Sequence, residues 1–135
     1  CGGSESLPFT DNSFERIIMV DALHHVINHA DSARELFRVL KPGGLLVVDS
    51  TFVQEVPPGG VIAIPFTRLA REQLGREVAA NIVALGALAA LTNAVSLSSL
   101  EAAVLARVPK GTEDLNRRAL SLGVDAARKA ALTKV

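Results

Sequence analysis

The chain has 135 residues, the size of one average domain, with 49% hydrophobic and 21% charged residues, a balance that supports a packed core and excludes wholesale disorder. Fourteen Lys+Arg offset 14 Asp+Glu, so no long-range field favours a polyanion, and neither nucleic acid nor a membrane is expected as a partner. The single cysteine, Cys1, excludes an internal disulfide, an iron–sulfur cluster held by this chain alone and a cysteine-based zinc site.

Residues 7–14, Leu-Pro-Phe-Thr-Asp-Asn-Ser-Phe, are turn-rich and read as a loop with two apolar anchors. Within Glu15 to Asp21, the run Ile17-Ile18-Met19-Val20 predicts a strand of a parallel sheet, buried on both faces. A helix is expected from Ser32 to Leu40, with Ser32 and Glu35 spaced as a capping box. Lys41-Pro42-Gly43-Gly44 ends it, and Leu45 to Asp49 is a second buried strand. Together these form a βαβ unit whose strands should be parallel neighbours. After a loop containing Pro57-Pro58-Gly59-Gly60, Val61 to Ile64 is a short strand and everything beyond is helical.

Thr67 to Leu74 predicts a short helix stopped by Gly75. Glu77 to Leu91 is a longer helix, apolar nearly all round and too short to span a membrane, so it reads as a core helix. Ser96 caps a helix through Val108, ended by Pro109, and Thr112 caps the last one, which frays into a tail from Lys129. The fold class expected is therefore α/β: a partial three-layer, Rossmann-like parallel sheet followed by an α-helical C-terminal region. Composition shifts along the way: residues 1–50 hold 3 alanines and all three histidines, residues 51–135 hold 17 alanines, and no aromatic follows Phe66.

Candidate chemistry is sparse. His24, His25 and His29 follow the first strand, where α/β sheets bind ligands. His25 and His29 have helical metal-pair spacing, with Asp21 or Asp31 as an added carboxylate. No Glu lies between them to act as a base, and packing or polar loop roles fit better, so no metal is expected. Gly43-Gly44 precedes a strand and does not open a helix, so it is no phosphate cradle. Lys110-Gly111-Thr112 reads as a structural turn, and Ser96, Ser98 and Ser99 as cap and surface residues. Arg68, Arg71 and Arg76, interleaved with Glu72 and Glu77, suit an exposed salt-bridged face or, alternatively, a subunit-interface patch.

Two resemblances extend this reading. Glu5-Ser6-Leu7-Pro8-Phe9, Asp11-Asn12-Ser13-Phe14-Glu15, Asp21-Ala22-Leu23-His24-His25 and Arg34 to Gly44 resemble, in order and spacing, the second half of a class I S-adenosylmethionine-dependent methyltransferase. That resemblance covers residues 5–50 and implies that Asp21, Ala22, Leu23 and His24 border the methyl donor. The family's glycine-rich loop would lie before Cys1, and its adenine-binding acid falls at Gly3, so S-adenosylmethionine binding is expected only if this half is functional.

Leu40 to Ser50, Ile64 to Ala70, Leu74-Gly75, Ala80 to Leu88 and Val108 to Glu113 resemble instead the gamma subunit of 2-oxoacid:ferredoxin (acceptor) oxidoreductases. It implies an α/β scaffold subunit in a complex whose partner subunits carry thiamine diphosphate and the iron–sulfur clusters, with no catalytic residue and no cofactor of its own. The expected organisation is a methyltransferase-like segment 1–50 and a gamma-subunit part 40–135, overlapping at 40–50, where both families place the same helix end, Pro-Gly-Gly turn and strand. A chimera of two genes explains the overlap better than natural recombination or a truncated fusion, and the missing initiating Met suits a fragment. One continuous sheet should run through the join.

The leading expectation is thus the C-terminal part of an oxidoreductase gamma subunit, inactive alone. The alternatives are a methyltransferase fragment and a non-enzymatic interaction module over 61–122, in which the apolar helix 77–91 needs a partner. Low cysteine content and the absence of a signal-like start suit the cytoplasm.

Overall fold

The structure is a computed structural model that describes residues 6–19, 29–54 and 60–133. The chain divides into two compact units, Cys1–Ile64 and Pro65–Val135.

The first unit holds β1 (Phe14–Met19), α1 (His29–Val39), β2 (Leu40–Asp49) and β3 (Val61–Ile64). Its sheet has the order β1-β2-β3 with both pairings parallel. Ile17 lies opposite Leu46 and Met19 opposite Val48, while β2 continues against β3 from Leu46↔Val61 to Asp49↔Ile64. The expected βαβ geometry is present, and one sheet runs through residues 40–50.

The middle strand is buried as its apolar run predicts: Leu46 and Val47 are 0% exposed and Val48 1%. The edge strand β1 departs from expectation, since Ile18 is 39% exposed. Side chains alternate across a strand. Ile17 turns toward the core of Leu36, Leu40, Leu46, Val48 and Val53, which leaves its neighbour Ile18 on the opposite face.

Helix α1 begins at His29, not at Ser32, and Ser32 is buried within it. The capping box is therefore not the helix start. Glu35 instead accepts a bond from the Leu7 N–H at 3.1 Å and pairs with Arg38. The helix stops at Val39 because Leu40 already pairs with Phe14. The register then jumps to Arg16↔Leu45, so Lys41 to Gly44 form an irregular bulge. Gly43 has φ +75°, and a Cβ on Gly44 would lie 2.8 Å from the carbonyl oxygens of Glu15 and Lys41. Only glycine suits this bulge.

The second unit is helical: α2 (Phe66–Leu74), a 3-10 turn (Glu77–Ala79), α3 (Ala80–Thr92), α4 (Leu97–Leu105) and α5 (Glu113–Thr133). Gly75 ends α2 in the left-handed region, with its N–H donating to the Arg71 carbonyl and the Arg76 N–H to the Ala70 carbonyl. The longer helix expected from Glu77 opens as the 3-10 turn and closes at Asn93, with φ 51°.

Helix α3 is buried through Ala80, Val83, Ala84, Gly86, Ala87 and Ala89, and its cover comes from α5. The two backbones touch: a Cβ on Gly123 would fall 1.8 Å from the Val83 carbonyl oxygen, and one on Gly86 2.3 Å from that of Leu120. The alanine enrichment is the counterpart of this approach, because small side chains let helix axes close together. The apolar helix behind the interaction-module reading thus has its partner inside the chain.

Ser96 caps α4 as expected, accepting the Ser99 N–H at 3.2 Å. The helix ends at Leu105, three residues before Val108, where the chain tightens through Arg107 N–H to the Val104 carbonyl at 2.9 Å. Thr112 precedes α5, but its hydroxyl donates to the Pro109 carbonyl at 2.6 Å and accepts from the Asn116 side chain. It fastens the turn more than the helix start. The tail expected to fray from Lys129 stays helical to Thr133. Among the described residues, no helix is long and apolar enough to cross a membrane.

Candidate functional site

Open α/β sheets bind ligands outside the carboxyl ends of their strands. Asp21, Ala22, Leu23, His24 and His25, expected beyond β1, lie outside the described residues. Asp31, the other carboxylate weighed for a metal, is taken up by Arg34 at 2.8 Å. No group of three or more metal-ligating side chains occurs among the described residues.

At the end of β2 the structure brings forward a residue that the sequence reading passed over. Asp49 is 0% exposed. Its Oδ1 accepts the Thr51 N–H at 2.9 Å, and its carbonyl accepts the N–H groups of Phe52 and Val53 at 3.2 and 3.1 Å. The Ser50 N–H donates to the Ile64 carbonyl at 3.0 Å, which locks this turn to the end of β3. Asp49 is therefore a buried acid at the carboxyl-terminal edge of the sheet, used to shape the chain as it leaves β2. Its signal in the sequence was an Asp closing the apolar run Leu45 to Val48.

The opposite, amino-terminal edge carries a cleft of about 450 Å³ lined by Phe37, Leu40, Pro42, Gly44 and Gly60 among others. Its one charged side chain, Lys41, reaches Glu15 at 3.3 Å. Gly43-Gly44, expected as a turn, lies inside β2 at its irregular bulge.

Beside that cleft, Arg38 and Glu35 form a dense polar cluster. Arg38 Nε donates to both Glu35 oxygens at 3.0 and 3.1 Å, and its Nη2 reaches the carbonyl of Phe9 at 2.9 Å and that of Leu7 at 3.2 Å. Nη1 pairs with Asp11, and the Asn12 N–H donates to the Arg38 carbonyl at 3.0 Å. The bonds from Arg38 and then from the Leu7 amide hold the Glu35 carboxyl below its ordinary value, while Glu35 and then Asp11 raise the Arg38 guanidinium above its own. This is a charge-assisted clamp that ties the 7–12 loop to α1. Sequence spacing suggested a cap because the loop partner lies 28 residues away.

In the second unit, Arg71 pairs with Glu77 at 2.9 Å, as a salt-bridged face predicts, and Arg118 reaches the Gln73 carbonyl at 3.4 Å. Lys110-Gly111-Thr112 is the expected turn: Gly111 has φ +88°, and its N–H donates to Glu113 at 2.7 Å. Helices α4 and α5 flank a groove of about 280 Å³ with an apolar floor of Leu100, Leu120 and Val124. Arg117 and Glu101 close across it at 3.0 Å.

The parallel three-stranded sheet with its buried middle strand, followed by a helical region packed through glycine, agrees with the oxidoreductase resemblance in both fold and segment order. The family model for pyruvate ferredoxin/flavodoxin oxidoreductase matches residues 9–126, and the chain belongs to that family. A subunit of 2-oxoglutarate synthase, KorC, from Methanocaldococcus jannaschii is 46% identical over 94 residues, covering 67% of this chain and 50% of the relative. The crystal structure of a keto/oxoacid ferredoxin oxidoreductase gamma subunit from Geobacter sulfurreducens superposes with a TM-score of 0.67 at 42% identity, covering 74% of this chain and 58% of that one. The chain spans about half the length of the curated relatives of this kind that it matches. Similarity to methyltransferases is short: the ubiquinone/menaquinone biosynthesis C-methyltransferase UbiE of Pasteurella multocida is 47% identical over 45 residues, 33% of this chain and 17% of that protein.

Proposed function

We propose that this chain is the C-terminal part of the gamma subunit of a 2-oxoacid:ferredoxin (or other acceptor) oxidoreductase, a scaffold that docks onto the subunits carrying thiamine diphosphate and iron–sulfur clusters. The reaction of the whole complex is oxidative decarboxylation of a 2-oxoacid to an acyl-CoA. The observation that carries this reading is the family match over residues 9–126, which extends across elements of both compact units. In this reading no residue of the chain is catalytic, and the complex works in the cytoplasm. The chain's own residues supply shape: Asp49 turns the backbone at the carboxyl edge, the Arg38–Glu35 clamp holds the 7–12 loop, and the glycine contact sets the helices. Co-expression with the remaining subunits of such an oxidoreductase, followed by affinity capture of the chain, tests it. Stoichiometric recovery of those subunits is expected, and their absence from the eluate rejects the reading.

A second origin for residues 1–50 is favoured by the short methyltransferase similarity. We propose the organisation 1–50 and 40–135, overlapping at 40–50, with the first segment contributing its βα framework and not methyl transfer. Were the segment functional, Asp21, Ala22, Leu23 and His24 would border S-adenosylmethionine. Titration calorimetry with millimolar S-adenosylmethionine should register no binding, and a saturable heat would restore the methyltransferase reading.

A further inference from the structure

Helix α5 carries an exposed stripe that runs along the α4–α5 groove. Asp114, Arg117, Ser121, Asp125 and Arg128 are all exposed, and at about 100° per residue they lie within about 40° of the direction of Ser121. Their charges are antisymmetric about that serine. Four residues before it stands Arg117 and four after it Asp125; seven before it stands Asp114 and seven after it Arg128.

Charges on a helix face can pair locally with residues three or four positions away. Among the described residues, no ion pair engages Asp114, Asp125 or Arg128, and Arg117 bonds across to Glu101. Apolar surface adjoins the stripe: Leu97 is 41% exposed at the mouth of the α4–α5 groove, and Val95 is 51% exposed just before it.

We infer that this stripe is a self-complementary interface at which two copies of the chain meet through antiparallel α5 helices on a two-fold axis at Ser121. Under that operation each residue faces the one equally far from Ser121 in the other copy. Arg117 then faces Asp125, and Asp114 faces Arg128, each pair occurring twice. A second copy is thus the occupant that the charge order selects, since like charges face each other in a parallel arrangement. The small Ser121 side chain at the crossing lets the axes approach to about 8 Å, the close end of helix packing. Leu97 and the groove supply apolar contact beside the charges, while the charges set the register.

The test is sedimentation of the full chain over a concentration series at low salt. A dimer that weakens as salt rises is expected. Arg128→Glu sets an acid against Asp114 twice, and Asp114→Arg sets a base against Arg128 twice, so either variant alone should raise the dimer dissociation constant by about tenfold or more. Mixed together they form two attractive pairs, and dimerisation should return as a heterodimer. Helical circular dichroism checks that each variant is folded. In a Cys1→Ser background, Ser121→Cys should crosslink on oxidation, whereas the exposed Arg107→Cys should not. A monomer at all concentrations, or a dimer indifferent to the reversals, overturns the inference. So does a mixture no tighter than its components, and a monomer would leave the stripe to a different partner.

Discussion

In Cys1–Ile64 order comes from pairing along a small sheet and from one arginine that fastens a loop, whereas in Pro65–Val135 two helices approach until backbone meets backbone. The first arrangement joins segments far apart in sequence: β1 meets β2 across α1, and Glu35 reaches Leu7. The second uses local helices and needs only that side chains be small where α3 crosses α5. The contrast explains the jump in alanine content along the chain, and it separates what each unit tolerates. A sheet whose middle strand is buried on both faces resists loss of volume poorly, while a glycine contact resists gain.

Two substitutions test that contrast. Leu46→Ala, at a side chain 0% exposed in the middle strand, should cost about 3–4 kcal/mol, the transfer of the lost atoms plus the cavity they leave. Gly123→Ala should cost about 2–3 kcal/mol, because the new Cβ meets the Val83 carbonyl oxygen and helix backbones must part. Its sign is the informative part, since Gly→Ala within an exposed helix stabilises by about 0.5–1 kcal/mol. Urea unfolding of both variants gives the numbers, and a stabilised Gly123→Ala would refute the close crossing.

A smaller loss, about 1 kcal/mol, is expected for Ser96→Ala, which removes the bond to the Ser99 amide. The smallest effect belongs to acid. Folded Glu35 titrates below its ordinary value of 4.5, so on acidification the unfolded chain takes up that proton first. The stabilisation is fully present above that value and is lost as pH falls through the folded one. Urea midpoints at neutral and acid pH should therefore fall less steeply in Glu35→Gln than in the parent chain, and parallel slopes would show that the clamp carries no such linkage.

Much of this architecture could be read directly from residue patterns. The apolar run Leu45 to Val48 announced the buried strand, Gly75 the end of α2, and Ser96 the start of α4. Where the reading failed, a distant contact decided the outcome. Ser32 and Glu35 have the spacing of a cap, yet the carboxylate goes to a loop whose position no local rule supplies. Ile18 belongs to a run that looks buried on both faces, but its neighbour Ile17 takes the face toward the core, and Ile18 on the opposite face stays 39% exposed. The glycines at 86 and 123 stand out only once their helices are known to cross. Asp49 escaped notice because an acid closing a strand is common, and its burial depends on the turn through Phe52 and Val53. The expected methyl-donor wall, Asp21 to His24, lies outside the described residues.

On the proposed reading, this chain docks onto the catalytic subunits in the place of a gamma subunit. Reconstitution in competition tests it most directly: separately purified catalytic subunits are mixed with a full-length gamma subunit and increasing amounts of this chain, and native mass spectrometry counts the assemblies. The account predicts that the chain replaces the full-length subunit in proportion to its excess. Assemblies that keep the full-length subunit at every ratio, with this chain always free, would contradict it.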